Sequence, residues 1–140
     1  MSAEKNKALL RRIFEEVWGA GNLDNIDEYY AADVVNHSAP PDLPPGREGF
    51  KVYAGMLTSA FSDADLTIED QVAEGDRVVT RWSSKSIHTG EFFGIPATGK
   101  QVTVTGIGID RIAGGKVVES WGEYDSMGLM QQLGVVPPPG

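Results

Sequence analysis

Cysteine is absent from the chain. That removes disulfides, thiolate nucleophiles, iron–sulfur clusters and cysteine-ligated zinc together. Histidine is nearly absent: His37 and His88 are the two. They lie far apart with no spaced carboxylate motif, a poor donor set for a metal, so neither metal nor cofactor is expected. Positive charge is also scarce. Twelve Lys and Arg stand against twenty Asp and Glu, a net charge of −8, whereas nucleic-acid binding rests on a basic patch. The same imbalance disfavours an anionic membrane surface. No apolar run reaches the ~18 residues of a membrane span. The start, MSAEKNKALLRR, is polar and then amphipathic, without the apolar stretch of a secretion signal. These absences lead to the expectation of a cytoplasmic protein with no nucleic-acid or membrane partner.

What is present suits one domain. Apolar residues make up 41 % and charged residues 23 % of 140, enough for a single core. The domain is expected over 1–136, followed by a short proline-rich tail at 137–140. Leu10, Ile13, Phe14, Val17 and Trp18 keep the spacing of an amphipathic helix, with Ser2 as its cap and Gly19 and Gly21 at its end. Asn22 caps a short second helix in which Leu23, Ile26 and Tyr30 share a face. Asp33–His37 reads as a short extended stretch, and the four prolines of the following APPDLPPG forbid a helix. A third helix from about Gly46 carries the stripe Phe50, Tyr53, Ala54, Leu57 and Phe61.

From Ala64 the period becomes two. Strands are expected around Leu66–Asp70, over Arg77–Ile87, over Val102–Ile112 and over Val117–Tyr124, the last two joined by the hairpin turn Ala113-Gly114-Gly115-Lys116. Gly106 and Gly108 inside a strand mark a bulge, a bend or a close approach by a ligand. Ser126 caps a final helix through Leu133. Helices first and strands afterwards read as an α+β fold with an antiparallel sheet. Curved around a long helix, such a sheet makes a cone whose open end is a ligand pocket.

Four segments carry a family resemblance. They are Asp33-Val34-Val35-Asn36-His37, Ala73-Glu74-Gly75-Asp76-Arg77-Val78-Val79, His88-Thr89-Gly90-Glu91-Phe92 with Pro96-Ala97-Thr98-Gly99-Lys100, and Gly115-Lys116-Val117-Val118-Glu119-Ser120-Trp121 with Asp125 and Gln131-Gln132-Leu133-Gly134. In order and spacing the chain resembles the SnoaL-like polyketide cyclases. The resemblance implies the NTF2-like fold, a cone in which a curved, mostly antiparallel (mixed) sheet wraps the N-terminal helices. It also implies a cofactor-independent intramolecular aldol closure of a bulky aromatic keto ester, and pairing into a homodimer or homotetramer through the outer sheet face. The acid–base aspartate of the family falls on Asp125; His88, in the most family-like loop, is placed to hydrogen-bond a substrate carbonyl or Asp125 itself.

In an ideal strand Asp125 shares a face with Glu119, Trp121 and Glu123. Substrate-binding candidates are Trp121, Trp18 and Trp82 as flat apolar surfaces, Tyr30 and Tyr53 as inward hydroxyls, His37 at a pocket mouth, and Glu119. Each also has a plainer reading: Asp125 as a helix cap, the histidines as structural, the aromatic residues as core, Glu119 as the partner of Arg81 or Arg111. Rival functions stay open. One is a cofactor-free hydroxylase. An epoxide hydrolase would need Arg81, Asp110 and Glu119 to meet inside the cone, and an isomerase would need a tyrosine facing its base. The last is a non-catalytic small-molecule binder.

Overall fold

The computed structural model describes residues 2–137. Along the chain it has helix α1 (Ala3–Ile13), a π-helical turn (Phe14–Gly19), a 3-10 turn (Leu23–Asn25), α2 (Ile26–Tyr29), β1 (Tyr30–Asn36) and α3 (Gly46–Ala60). Then come β2 (Phe61–Glu74), β3 (Arg77–His88), β4 (Gln101–Ala113), β5 (Lys116–Tyr124) and α4 (Ser126–Leu133). The strands form one sheet in the order β1-β5-β4-β3-β2. β1 runs parallel to β5 and the other neighbours are antiparallel. The result is a single α+β domain with a mixed sheet. Apart from Pro137, the expected tail lies outside the described residues. No helix among the described residues is long and apolar enough to cross a membrane.

The Ser2 side chain accepts a hydrogen bond from the Lys5 N–H and caps α1; Glu4 lies in the first turn and Arg11 and Arg12 in the last, matching the helix dipole. Leu10, Ile13 and Val17 are fully buried. The helix then widens: the Ala20 N–H reaches the Glu15 carbonyl at 2.9 Å, a five-residue span. In that wide turn Trp18 meets α3 edge to face, 6.0 Å from Phe50 and 6.4 Å from Tyr53. Tyr30 and Phe61 were expected on helices. Both instead begin strands, with φ/ψ of −116/140 and −128/122. Each stands where a helical stripe hands over to an alternating pattern, and an apolar residue there satisfies both.

Even-numbered residues of β3 and β4 face the helices: Val78, Thr80, His88, Val102, Asp110 and Ile112 are buried. Arg81, Lys85, Thr103 and Thr105 are exposed on the other side. Gly106 lies opposite Trp82 in the ladder. A Cβ there would collide with the Trp82 indole and stand 2.8 Å from the Glu123 carbonyl oxygen. This strand glycine therefore makes room for an indole.

The bulge lies further on. Arg111 pairs with Glu119 while Ile112 pairs with Val117, so Val118 is an extra residue on β5. Beyond it Asp110 faces Ser120, Gly108 faces Gly122 and Gly106 faces Tyr124. The inward face of β5 is therefore Ser120, Gly122 and Tyr124. The expected inward set of Glu119, Trp121 and Glu123 is turned outward, because one inserted residue inverts the alternation.

Replacing Gly106 by Ala is predicted to destabilise the domain by about 1–3 kcal/mol, the range for overpacking a filled interior. Thermal unfolding of Gly106→Ala beside a Gly106→Ala/Trp82→Leu double variant measures this. The double variant removes the obstructing ring and should recover part of the loss that the new methyl group causes.

Candidate active site

A cavity of about 430 Å³ lies between α1, the wide turn and α3 on one side and the concave sheet on the other. Its wall is mostly apolar and aromatic: Leu10, Trp18, Tyr30, Phe50, Tyr53 and Trp82 all border it. Tyr30 packs on Phe50 at 4.1 Å between ring centroids, tilted by 32°. A volume of this kind, apolar with a few converging polar groups, is the usual form of a small-molecule site. Asn36, Ser84, Ser86, Ser120 and Asp110 supply those polar groups.

Asp110 is the carboxylate that the fold places deepest in this cavity. Its residue is 6 % exposed. Burial raises its pKa from 3.8 to about 7, against a hydrogen bond from the Ser120 side chain that lowers it. The other carboxylate residues bordering the cavity are Asp63 and, through its place on β5, Glu123; no Lys, Arg or His borders it among the described residues. Asp63 adopts φ 54 where the pairing of β2 with β3 slips between Ser62 and Asp65.

The residues singled out from the sequence separate into two groups. Trp18, Tyr30, Tyr53 and Trp82 share the cavity wall. Trp121 borders the cavity through its place on β5, but its indole is on the outer face. There it stacks on His37 at 4.9 Å and lies under the Arg77 guanidinium at 5.3 Å. The His37 Nε2 is 2.7 Å from Glu119 Oε2, and Arg111 Nε donates to Glu119 Oε1 at 3.0 Å. His37 first, then Arg111, hold the Glu119 carboxyl below its ordinary pKa. Arg81 donates to Asp70 on the exposed surface. Arg81, Asp110 and Glu119 therefore do not meet.

Asp125 stands at the N-terminus of α4, exposed to solvent. Its Oδ1 accepts from the Gly128 N–H at 2.9 Å, and its own N–H donates to the Thr105 carbonyl. Its position is that of a helix cap, off the cavity wall. Gly128 fits this cap closely, since a Cβ there would meet the Asp125 carboxylate. His88 is completely buried and does not border the cavity. Its Nδ1 accepts from the Thr98 N–H at 3.2 Å and lies 3.0 Å from Thr98 Oγ1, and its ring packs on Phe61. With Nδ1 accepting, the ring proton sits on Nε2, which has no partner among the described residues. His88 thereby ties the loop 89–100 to β3, reinforced by the Gly99 N–H on its carbonyl.

This architecture, a mixed five-stranded sheet over N-terminal helices with an apolar cavity between them, defines the NTF2-like fold. Within that class, the model of the SnoaL-like polyketide cyclases matches residues 8–133, and the chain belongs to that family. It is 30 % identical over 129 residues to the aklanonic acid methyl ester cyclase DnrD of Streptomyces peucetius, covering 90 % of this chain and 88 % of that protein. It is likewise 30 % identical to the aklanonic acid methyl ester cyclase DauD of Streptomyces sp. (strain C5), covering 90 % and 80 %. The structure of TsrD from Streptomyces laurentii superposes with a TM-score of 0.88 at 27 % identity, covering 97 % of this chain and 99 % of that one.

Two substitutions separate the carboxylates. Asp125→Ala should lose about 0.5–2 kcal/mol of stability as a lost cap, and Asp125→Asn almost none. Asp110→Asn should do the opposite. The folded protein holds a proton on Asp110 up to about pH 7, whereas the unfolded chain releases it near 3.8. Wild-type stability therefore falls as pH rises between those values, and neutralising the side chain removes the loss. Denaturant melts at pH 5 and pH 8 should find the stability difference between Asp110→Asn and wild type growing in favour of the variant by about 2.5 kcal/mol over that interval.

Proposed function

We propose that this protein is a cofactor-independent cyclase that closes a ring in a bulky aromatic keto ester by intramolecular aldol addition, with Asp110 as its acid–base group. The observation that carries this reading is a carboxylate buried in an apolar, aromatic-walled cavity with a pKa near 7. Sequence reasoning assigned the role to Asp125. Asp110 suits it better, because it lies inside the cavity and is poised to take and return a proton near neutrality.

The steps balance without a co-reactant. The Asp110 carboxylate removes the proton from the carbon between ketone and ester, leaving an enolate. The enolate carbon attacks a second carbonyl of the same molecule and a carbon–carbon bond forms. The resulting alkoxide takes the proton back from Asp110, so the product is an isomer of the substrate. Ser120 faces Asp110 in the ladder, and its hydroxyl favours the charged carboxylate. An acidic lining without a cation among the described residues favours an esterified substrate over a free carboxylate. The naming of two relatives as aklanonic acid methyl ester cyclases supports this substrate class. As further parts of the reading, the protein acts in the cytoplasm and pairs through the outer sheet face, where Val72 and Ile107 are 63 % and 48 % exposed.

The test is turnover of aklanonic acid methyl ester, followed by absorbance with and without oxygen. Ring closure should proceed anaerobically, with kcat/KM rising through a single ionisation near pH 7. Asp110→Asn should fall at least ~100-fold, and Asp125→Asn should stay within about 3-fold of wild type. Oxygen dependence would instead move the protein to the hydroxylases. Tight binding without turnover in wild type would make it a binder.

A further inference from the structure

Asp110 is not alone in the cavity. Tyr30 opens β1, in register with Val117 of β5. Val117 is in turn in register with Ile112 of β4, two residues from Asp110 on the same face. Tyr30 and Asp110 therefore stand two strands apart, about 10 Å across the sheet and about 7 Å along it, by ordinary strand spacing and rise. Both side chains border the same cavity, and both are buried, at 2 % and 6 % exposure. The Asp110 charge acts on the Tyr30 hydroxyl from this position.

The Tyr30 ring cannot swing freely, because it is packed on Phe50, and Phe50 is itself braced by Trp18. Its hydroxyl is not occupied by a described side chain: burial and the Asp110 charge are what act on it, and both raise its pKa well above the ordinary value. It therefore keeps its proton throughout and serves as a donor only. A donor nearly fully buried, unpartnered and facing a base across an apolar cavity is the arrangement that stabilises an enolate oxygen. Two other hydroxyls on the wall suit this less well. Ser120 is engaged with Asp110, and Tyr124 is partly exposed at the end of β5.

We propose that Tyr30 donates a hydrogen bond to the substrate's ketone oxygen opposite Asp110, and that this pair enolises an aromatic β-keto ester whether or not ring closure follows. The inference rests on the assignment of Asp110 as the base. In the step, the carbon–hydrogen bond breaks and its electron pair moves onto the ketone oxygen under the Tyr30 O–H. The proton rests on Asp110, exchanges with solvent and returns to carbon. A keto ester with no second carbonyl to attack should therefore exchange its α-hydrogens for deuterium and otherwise come back unchanged.

The experiment uses ethyl 3-(2-naphthyl)-3-oxopropanoate in deuterium oxide, with quenched samples read by NMR against the buffer background. Binding is read in parallel by tryptophan quenching. Wild type and Asp125→Asn should accelerate exchange, and Asp110→Asn should abolish the acceleration. Tyr30→Phe keeps the packed ring, so it should bind within about 3-fold of wild type. Its exchange should fall about 10²-fold, the usual effect of removing one oxyanion donor, and its pH profile should still turn near 7. Exchange by Tyr30→Phe at the wild-type rate, with Asp110→Asn inactive, overturns the role of Tyr30 and leaves Asp110 as base. Exchange by Asp110→Asn at the wild-type rate, or no acceleration by wild type, overturns the base assignment and the inference together.

Discussion

One inserted residue, Val118, decides which chemistry the cavity holds. If the ladder ran on from the Ile112–Val117 pair with Val118 taken into regular pairing, Glu119 would stand opposite Asp110 on the inward face, and two carboxylates would crowd one apolar space. The like charges would then force one of them to stay protonated. The slip replaces that pair with Asp110 facing Ser120, and moves Glu119 to the outer face against His37 and Arg111. There a carboxylate is cheap to maintain, because two partners and nearby water share its charge. The same slip turns the Trp121 indole away from the cavity and onto His37 and Arg77. The polarity of both sheet faces thus follows from a single irregularity in the ladder.

Asp110 carries an energetic penalty that the rest of the core must offset. A carboxylate in an apolar cavity is stable at neutral pH only by retaining part of its proton, and that partial protonation equips it for proton transfer. The large apolar cluster from Leu9 through Val117 supplies the surplus. The smaller cluster of Ala60, Phe92, Val102, Leu129 and Leu133 seats α4, and with it the Asp125 cap. Buried strain is thereby concentrated at the site, while capping and packing are spread over the frame around it.

Much of the frame was legible in the sequence. The stripe Leu10–Trp18, the start of α3 at Gly46, the hairpin at Gly114 and the end of α4 at Gly134 follow from spacing and turn chemistry. The wall residues Trp18, Tyr53 and Trp82 did too. The site was harder to read, because a β-bulge leaves no mark in hydrophobic alternation when the residues around it are Val117, Val118 and Glu119. Counting by twos from Asp125 leads to the outer face, and no local signal corrects the count. From the sequence Asp110 stands out only as one arm of a carboxylate–arginine set with Arg81 and Glu119. The clue to its burial was the run Ile107–Ile112, whose face of Gly108, Asp110 and Ile112 is apolar except at that position. An acid so enclosed is either an error of register or a functional group. Asp125 and Ser126 both have capping side chains, and only the hydrogen bond from Gly128 tells which one caps the helix.

The contact between Gly106 and Trp82 makes two positions on neighbouring strands into one shared volume. A smaller residue at 82 removes the ring that a side chain at 106 would meet, and leaves the Glu123 carbonyl oxygen, 2.8 Å from a Cβ there, as the group still to give way. The wall opposite α3 therefore behaves as an exchangeable panel. Descendants of this sequence can reshape the cavity for a different ring system there, while Asp110, Tyr30 and the cap of α4 stay where they are.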